Sequence, residues 1–120
     1  MNRFWGKVRK VNLRGRKLGF PTANVNLNKD IAEGIYISKT KLQGKEFPSL
    51  TFIGKVKTFN EQKFQSETYI LDFNKNIYHK WISVKLIKKI RDNKKFKSAS
   101  ELISQMKNDE IVAREYFKNE

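Results

Sequence analysis

The chain has 120 residues, with 26 Lys plus Arg against 12 Asp plus Glu, and its formal charge is +14. It contains no cysteine, which excludes disulfides, thiolate metal sites and a cysteine nucleophile and suits a reducing cytoplasm. No apolar run is long enough to cross a bilayer, so we expect a cytoplasmic protein without a membrane span. The length fits one domain over residues 1–120, expected to be a monomer, and the charge would attract nucleic acid only non-specifically.

Short alternating segments bounded by turn residues predict a β-rich domain. The clearest lies at residues 22–28, where apolar and polar residues alternate, so that one face packs and the other is available for chemistry. Further strands are expected at residues 4–10, 34–41, 49–53, 67–73 and 81–87. Six short strands predict a closed barrel, because closure removes the exposed edges of a small sheet.

One helix is predicted near the end of the sequence. Ser98 and Glu101 have the spacing of a capping box, which satisfies free amides at a helix start. Apolar residues follow at helical spacing, at positions 102, 103, 106, 113, 116 and 117. Such a stripe more often packs against a core than binds a partner, so we expect the helix to lie on the barrel.

The common catalytic and nucleotide-binding patterns are absent from the sequence. The single histidine, His79, has no cysteine or second histidine with which to share a metal ion. No Gly-Lys pair has the spacing of a P-loop. A nucleotide site in this chain must therefore be built in another way.

Residues 14–24, RGRKLGFPTAN, form a basic glycine loop that runs directly into the polar-faced strand. Gly15 and Gly19 allow backbone amides to approach an anion, and Arg16 and Lys17 supply positive charge. The loop is therefore a candidate site for phosphate groups.

Thr22 and Asn24 point the same way by the two-residue period of a strand. A hydroxyl and an amide carbonyl are hard oxygen ligands, suited to a Mg²⁺ ion that takes the rest of its shell from water and phosphates. An ordinary strand after a turn explains the same spacing, and the spacing alone leaves both interpretations open.

Residues 15–24, GRKLGFPTAN, closely resemble the G-R-x-L-G-F-P-T-A-N signature of riboflavin kinases. The resemblance continues through residues 34–36, 67–73 and 90–98, with 101–102 and Asp109 beyond, and so covers nearly the whole chain. It implies a mainly β fold, a six-stranded closed Greek-key β-barrel with a C-terminal α-helix. It also implies that the chain makes FMN and ADP from riboflavin and ATP.

The same resemblance implies roles for individual residues. Thr22 and Asn24 would hold Mg²⁺ or another divalent metal, and Glu67 would be the catalytic base. Without the resemblance, a solvated carboxylate on a strand is the preferred interpretation of Glu67. Phosphoryl transfer requires alignment and charge neutralisation more than covalent chemistry, so these three residue types suit the reaction.

Weaker assignments concern the two substrates. Arg91 and Phe96 would contact riboflavin, although Phe96 could instead anchor the helix as part of the core. Tyr78 matches a tyrosine near the nucleotide. The loop residues expected to bind the phosphates are Gly15, Arg16, Lys17 and Gly19.

The sequence departs from the pattern of the family at Val11, Phe52, Val56, Lys57 and His79. Val11 and His79 stand where the family usually has glycine, so we expect altered loop shapes and a weaker hold on the nucleotide. Many bacterial relatives carry an adenylyltransferase domain ahead of this module, and FAD synthesis is not expected from this chain alone.

Two other functions remain open at this point. A small basic barrel with interspersed aromatic residues suits single-stranded nucleic acid, and a degenerate barrel could bind flavin or nucleotide without turnover. The kinase hypothesis predicts FMN formation that depends on ATP and a divalent metal. The nucleic-acid hypothesis predicts salt-sensitive RNA binding and indifference to riboflavin.

Overall fold

The described chain consists of antiparallel strands followed by one helix. The computed structural model describes residues 3–11, 22–27, 29–57, 62–73 and 75–120. The elements in chain order are β1 Arg3–Lys7, β2 Lys10–Val11, β3 Ala23–Asn26, β4 Gly34–Leu42, β5 Lys45–Lys57, β6 Gln62–Ile70, β7 Trp81–Arg91 and α1 Ala99–Lys118.

The first strand nearly closes the sheet into a barrel. The strand order is β1-β7-β4-β5-β6-β3-β2, and every pairing is antiparallel. Since β1 pairs with β7 and β2 pairs with β3, the two halves of this first strand join both edges of the sheet. Between the halves, Val8 donates to the Lys80 carbonyl at 2.8 Å and Arg9 to the Asn24 carbonyl at 2.9 Å. Counted as one strand, β1 and β2 give the six strands predicted.

The connectivity is that of a Greek key. Strands β4, β5 and β6 are consecutive neighbours, β3 lies beside β6, and β7 lies beside β4. Strand β7 follows the three-strand meander in sequence but lies beside its first strand, β4, and β3 precedes the meander but lies beside its last strand, β6. A fourth strand placed in this way defines the motif. The predicted barrel topology is therefore confirmed.

The barrel interior is filled by the inward side chains of each strand. Strand β3 has the burial alternation expected for one packed face, with Ala23 and Val25 inside. Ile53, Ile82 and Val84 are at most 2% exposed and pack in the same cluster. Removal of this apolar surface from water is the main source of stability for a barrel of this size.

A chain of hydroxyl groups also runs through the interior. Thr40 contacts Ser49 at 2.8 Å, Ser49 contacts Ser38 at 2.7 Å, Ser38 contacts Thr51 at 2.8 Å and Thr51 contacts Thr68 at 3.1 Å. All five side chains are at most 1% exposed. Because each hydroxyl has a partner, the small polar residues fill the narrow interior without a large desolvation cost.

Helix α1 packs on the outer face of the barrel, as predicted. Ser98 caps its start, because the Ser98 hydroxyl accepts from the Glu101 amide at 3.2 Å. A second buried cluster lies between the helix and the strands and contains Ile35, Ile37, Leu50, Leu71 and Ala113. The described ranges contain no helix with the length and hydropathy needed to span a bilayer.

Strands β5 and β6 differ in extent from the predicted segments. Residues 49–53 were expected, but β5 spans Lys45–Lys57, and β6 begins and ends earlier than the predicted 67–73. Pro48 is tolerated within β5 because pairing with β6 ends at Ser49, where the Pro48 carbonyl accepts from Leu71 at 3.0 Å. Strand β6 ends before a turn in which Asp72 has a left-handed φ of 55°.

Candidate functional site

A single row of paired residues crosses five strands of the barrel. Arg91 on β7 pairs with Ile35 on β4, Ile35 with Phe52 on β5, Phe52 with Glu67 on β6, and Glu67 with Asn24 on β3. Directly opposed residues project to the same face of a sheet. The row therefore gathers residues that are distant in sequence on the outer face of the barrel.

Thr22 and Glu67 are joined by a hydrogen bond. Thr22 immediately precedes β3, is 9% exposed, and donates its hydroxyl proton to Glu67 Oε1 at 3.2 Å. A hydroxyl that donates its proton keeps its oxygen lone pairs available for a cation. With Asn24 directly opposite Glu67, the predicted metal ligands and the predicted base lie together.

The Asn24 side chain provides a test of whether the group formed by Thr22, Asn24 and Glu67 suits a metal ion. Asn24 Oδ1 is buried and accepts no hydrogen bond from any residue in the described ranges. Buried acceptors nearly always have a partner, so an orphaned carbonyl oxygen is a notable exception. Amide carbonyl and hydroxyl oxygens are ligands that Mg²⁺ accepts, and Thr22 and Asn24 therefore fit such an ion.

A cavity of about 300 Å³ opens beside Thr22 and Glu67. Thr22, Glu67 and Arg91 contribute polar groups to its lining. The apolar and aromatic part of its wall comes from the strands, from the segment between β7 and α1, and from α1, and includes Ile35, Leu50, Phe52, Tyr69, Phe96, Leu102 and Met106. A mostly apolar pocket with a few convergent polar groups is typical of a site for a flat organic ligand.

Both residues predicted to contact riboflavin line this cavity. Phe96 belongs to neither buried cluster and lies in the cavity wall, as does Arg91. The four residues Thr22, Glu67, Arg91 and Phe96 are thus brought to one cavity, while Asn24 adjoins it through Glu67.

Arg91 is held by an aspartate of α1 that sequence reasoning did not assign to the site. Arg91 Nε donates to Asp109 Oδ1 at 2.8 Å, and a terminal nitrogen donates to Asp109 Oδ2 at 2.7 Å. Gln105 also donates to Asp109, at 3.1 Å. The sequence did contain a sign of this contact. Asp109 lies three positions after Met106 and four before Ala113, on the apolar stripe of the helix, where a charged residue needs a buried partner.

A second polar network ties the helix to the end of β6. The Tyr69 hydroxyl donates to Glu110 at 3.2 Å, and Arg114 donates to Glu110 at 2.9 Å and to both carboxylate oxygens of Asp72 at 2.9 and 3.0 Å. Burial raises the pKa of the Tyr69 hydroxyl, and the nearby Glu110 carboxylate raises that pKa further. Hydrogen bonds from Arg114 lower the pKa of Asp72.

Other predicted residues are not brought to the cavity or lie outside the described residues. Tyr78 is 43% exposed and its ring stands edge-on to His79, with centroids 3.9 Å apart. His79 has a φ of 67°, in the region that favours glycine, which explains why a glycine is usual there. Outside the described residues lie Gly15, Arg16, Lys17 and Gly19, and the same holds for the side chains of Val11, Val56 and Lys57.

Comparison with known proteins identifies the family. The riboflavin kinase family model matches residues 2–117. The trifunctional protein RibF/MnmA of Mycoplasmoides gallisepticum is 41% identical over 115 residues, which cover 93% of this chain and 18% of that protein. The bifunctional riboflavin kinase/FMN adenylyltransferase of Haemophilus influenzae is 34% identical over 120 residues, covering 98% of this chain and 39% of that protein. This chain thus spans two fifths or less of the length of these relatives.

Two solved structures share the fold. A crystal structure described as a macrolide-efflux protein from Streptococcus pneumoniae superposes with a TM-score of 0.87 at 36% identity, covering 93% of this chain and 38% of that one. Riboflavin kinase from Trypanosoma brucei superposes with a TM-score of 0.66 at 24% identity, covering 97% of this chain and 79% of that one. From the matched family model and these relatives together, the chain belongs to the riboflavin kinase family.

Proposed function

We propose that this chain transfers the γ-phosphate of ATP to the 5′-hydroxyl of riboflavin, giving FMN and ADP. Membership of the riboflavin kinase family supports the choice of substrates. The observation that carries the proposal is the convergence of Thr22, Asn24 and Glu67 beside a cavity with apolar walls. These groups are the ones that an in-line phosphoryl transfer requires.

In this scheme Glu67 acts as the general base. Its carboxylate would orient the ribityl 5′-hydroxyl and accept its proton while that oxygen bonds to the γ-phosphorus. The bond from the γ-phosphorus to the bridging oxygen breaks, and ADP leaves with the electron pair. The hydrogen bond from Thr22 fixes the carboxylate of Glu67, which limits the number of orientations that compete with the reactive one.

The oxygens of Thr22 and Asn24 are the proposed ligands of a divalent metal, for which Mg²⁺ is our choice. When bound, such an ion neutralises phosphate charge and aligns the phosphates for transfer. We assign Arg16 and Lys17 to the phosphates on the grounds of their charge. Gly15 and Gly19 would admit the phosphates to the backbone amides of the same loop.

The flavin ring is proposed to occupy the cavity, where Phe52 and Phe96 offer aromatic faces. A guanidinium has five N–H groups, and within the described residues Asp109 and the Asp92 carbonyl engage three of those of Arg91, so two are proposed for a ligand. Tyr78 remains a proposed contact for the nucleotide, outside this cavity.

The decisive experiment follows FMN by chromatography after incubation with riboflavin, ATP and Mg²⁺. Glu67→Gln keeps the size of the side chain and an acceptor for Thr22 but removes the base, so we expect the rate to fall by about 100-fold or more. Glu46→Gln is the matched control, because Glu46 is an exposed carboxylate on β5 outside the cavity lining.

Three results would count against this scheme. Equal rates for Glu67→Gln and the parent would remove Glu67 from its role. Flavin binding by the parent without FMN formation would favour a degenerate barrel. An equal loss in Glu46→Gln would point to a general effect of charge instead of a base at Glu67.

The proposal also covers the cellular compartment and the oligomeric state of the enzyme. We propose a cytoplasmic enzyme acting as one riboflavin kinase domain, since a chain without cysteine suits a reducing compartment. A single copy supplies every group named above, so the scheme needs no second subunit, and we propose a monomer.

A further inference from the structure

Both tryptophans of the chain are exposed on neighbouring strands. Trp5 on β1 is 68% exposed and Trp81 on β7 is 64% exposed. The register pairs Trp5 with Ser83 and Lys7 with Trp81, so the two indoles are diagonal neighbours on the same outer face. Large aromatic side chains usually lie mostly buried, and two exposed ones in adjacent strands indicate a binding surface.

The residues around the two indoles are basic. Arg3 pairs across the strands with Lys85, and Lys7 lies directly opposite Trp81. Within the described part of the chain, none of these three cations forms an ion pair with a carboxylate. Lys29 donates to the Arg3 carbonyl and brings one more positive charge to this edge.

On β4, the strand next to β7, two lysines lie near carboxylates. Lys39 forms an ion pair with Glu120, and Lys41 stands opposite Glu46. By contrast, Arg3, Lys7 and Lys85, which have no such partner among the described residues, place three cations beside the two indoles. A surface that joins aromatic rings with unpaired cations complements a ligand that has flat bases and a charged backbone.

This surface is separate from the cavity of the proposed kinase site. The described residues that line the cavity come from the segment before β3, from β4 to β6, from residues 91–96 and from α1. They include no residue of β1 and none of the first half of β7. The indole face and the cavity therefore share no described residue.

We propose that this surface, the indole face formed by Arg3, Trp5, Lys7, Trp81, Ser83 and Lys85, binds single-stranded RNA. Two successive unpaired bases stack on the indoles, and the cations contact the flanking phosphates. Ser83, opposite Trp5, provides a hydroxyl for the ribose 2′-hydroxyl, the group that distinguishes RNA from DNA. The formal charge of +14 steers the polyanion toward the protein.

An anionic membrane fits the indole face less well. Binding at a bilayer surface requires a continuous apolar area that enters the acyl boundary. Among the described residues, the exposed large apolar side chains are the two indoles, which share their face with Lys7 and Ser83, Tyr78 in the turn before β7, and Ile111 and Val112 on α1. Stacking of individual bases requires only the two rings.

The tryptophans themselves report on binding. Because Trp5 and Trp81 are the only two tryptophans in the sequence, quenching of tryptophan emission by oligouridylate reports directly on the indole face. We expect saturable quenching whose binding constant falls with salt at a log–log slope of about −2, since each of three phosphate contacts contributes about −0.7. Lys7→Gln should make that slope shallower by about 0.7.

Single substitutions test the stacking. Trp5→Ala and Trp81→Ala should each weaken RNA binding by about fivefold or more, read from the remaining tryptophan, because stacking on one aromatic ring contributes at least that much. Trp5→Phe retains a ring and should bind more tightly than Trp5→Ala. Ile111→Ala is the control for loss of an exposed apolar side chain, since Ile111 is 64% exposed on α1, and it should bind as the parent does. FMN formation should be unchanged in all four variants, which shows that each is folded.

The competing ligands are tested in parallel. Oligodeoxythymidylate, polyphosphate and vesicles of phosphatidylglycerol with phosphatidylcholine are the probes for DNA, for charge alone and for a membrane. Tighter binding of oligouridylate than of all three supports the proposal. Absence of quenching by oligouridylate would overturn it, as would equal affinity for polyphosphate, equal affinity for the deoxy oligomer, or binding to the vesicles alone.

Discussion

The barrel interior and the layer beneath α1 are built by alternate residues of the same strands, yet they differ in packing and chemistry. The interior side chains of β4 to β6 include five hydrogen-bonded hydroxyls, with no more than 1% exposure. The outer side chains of the same strands are larger and leave a cavity of about 300 Å³. The packed residues on the inner side of each strand therefore fix the strand register, and the residues on the outer side can form a site.

The largest effect should come from removing volume from the interior. Ile53→Ala leaves a cavity at a position that is 0% exposed, so we expect a loss of about 2–5 kcal/mol in the free energy of unfolding, measured with urea. Leu50→Ala removes the same number of carbons from the outer layer. It should cost less, because Leu50 already borders the cavity. Equal losses would erase the distinction between the two regions.

A smaller loss is expected at the ion pair that holds the cavity wall. Asp109→Asn replaces a bidentate carboxylate, whose side chain is 6% exposed, by an amide that can accept from Arg91 only weakly. We expect a decrease in stability of about 2 kcal/mol together with weaker riboflavin binding, measured by thermal unfolding and by flavin fluorescence. Glu115→Gln, on an exposed position of α1, is the control and should change neither measurement. Unchanged riboflavin affinity in Asp109→Asn would show that the ion pair between Arg91 and Asp109 does not contribute to riboflavin binding.

The smallest effect concerns alkaline pH. The raised pKa of the Tyr69 hydroxyl means that folding favours its protonated form. Its contribution is complete below the unfolded pKa of roughly 10 and is lost as the pH rises through the raised value in the folded protein. Between these two pKa values, the free energy of unfolding should therefore fall more steeply with pH for the parent than for Tyr69→Phe. Glu110→Gln removes the second cause of the shift and should give an intermediate slope.

Local patterns in the sequence predicted much of this architecture. The alternation around Val25 predicted a strand with one packed face, and the pair Ser98 and Glu101 predicted the start of the helix, because both signals act over a few residues. The extent of β5 was underestimated, since Pro48 normally interrupts a strand and only the end of the β6 pairing makes it acceptable there.

The candidate site was predicted only in part. Family resemblance suggested Glu67, and the two-residue period suggested that Thr22 and Asn24 share a face. Their proximity to Glu67 depends on pairing between strands more than 40 residues apart in sequence, which no local pattern encodes. The apolar stripe of the helix indicated that Asp109 needs a buried partner, but the identity of that partner, Arg91, depends on contact between separate elements.

The row that runs from Arg91 to Asn24 makes function depend on correct strand alignment. Were β6 to shift by a single residue against its neighbours, Glu67 would turn into the barrel and Ser66 or Thr68 would face the cavity. A misaligned barrel would then lack the proposed activity even if it were compact. Turnover is thus a more stringent assay of correct folding in this protein than any measure of compactness.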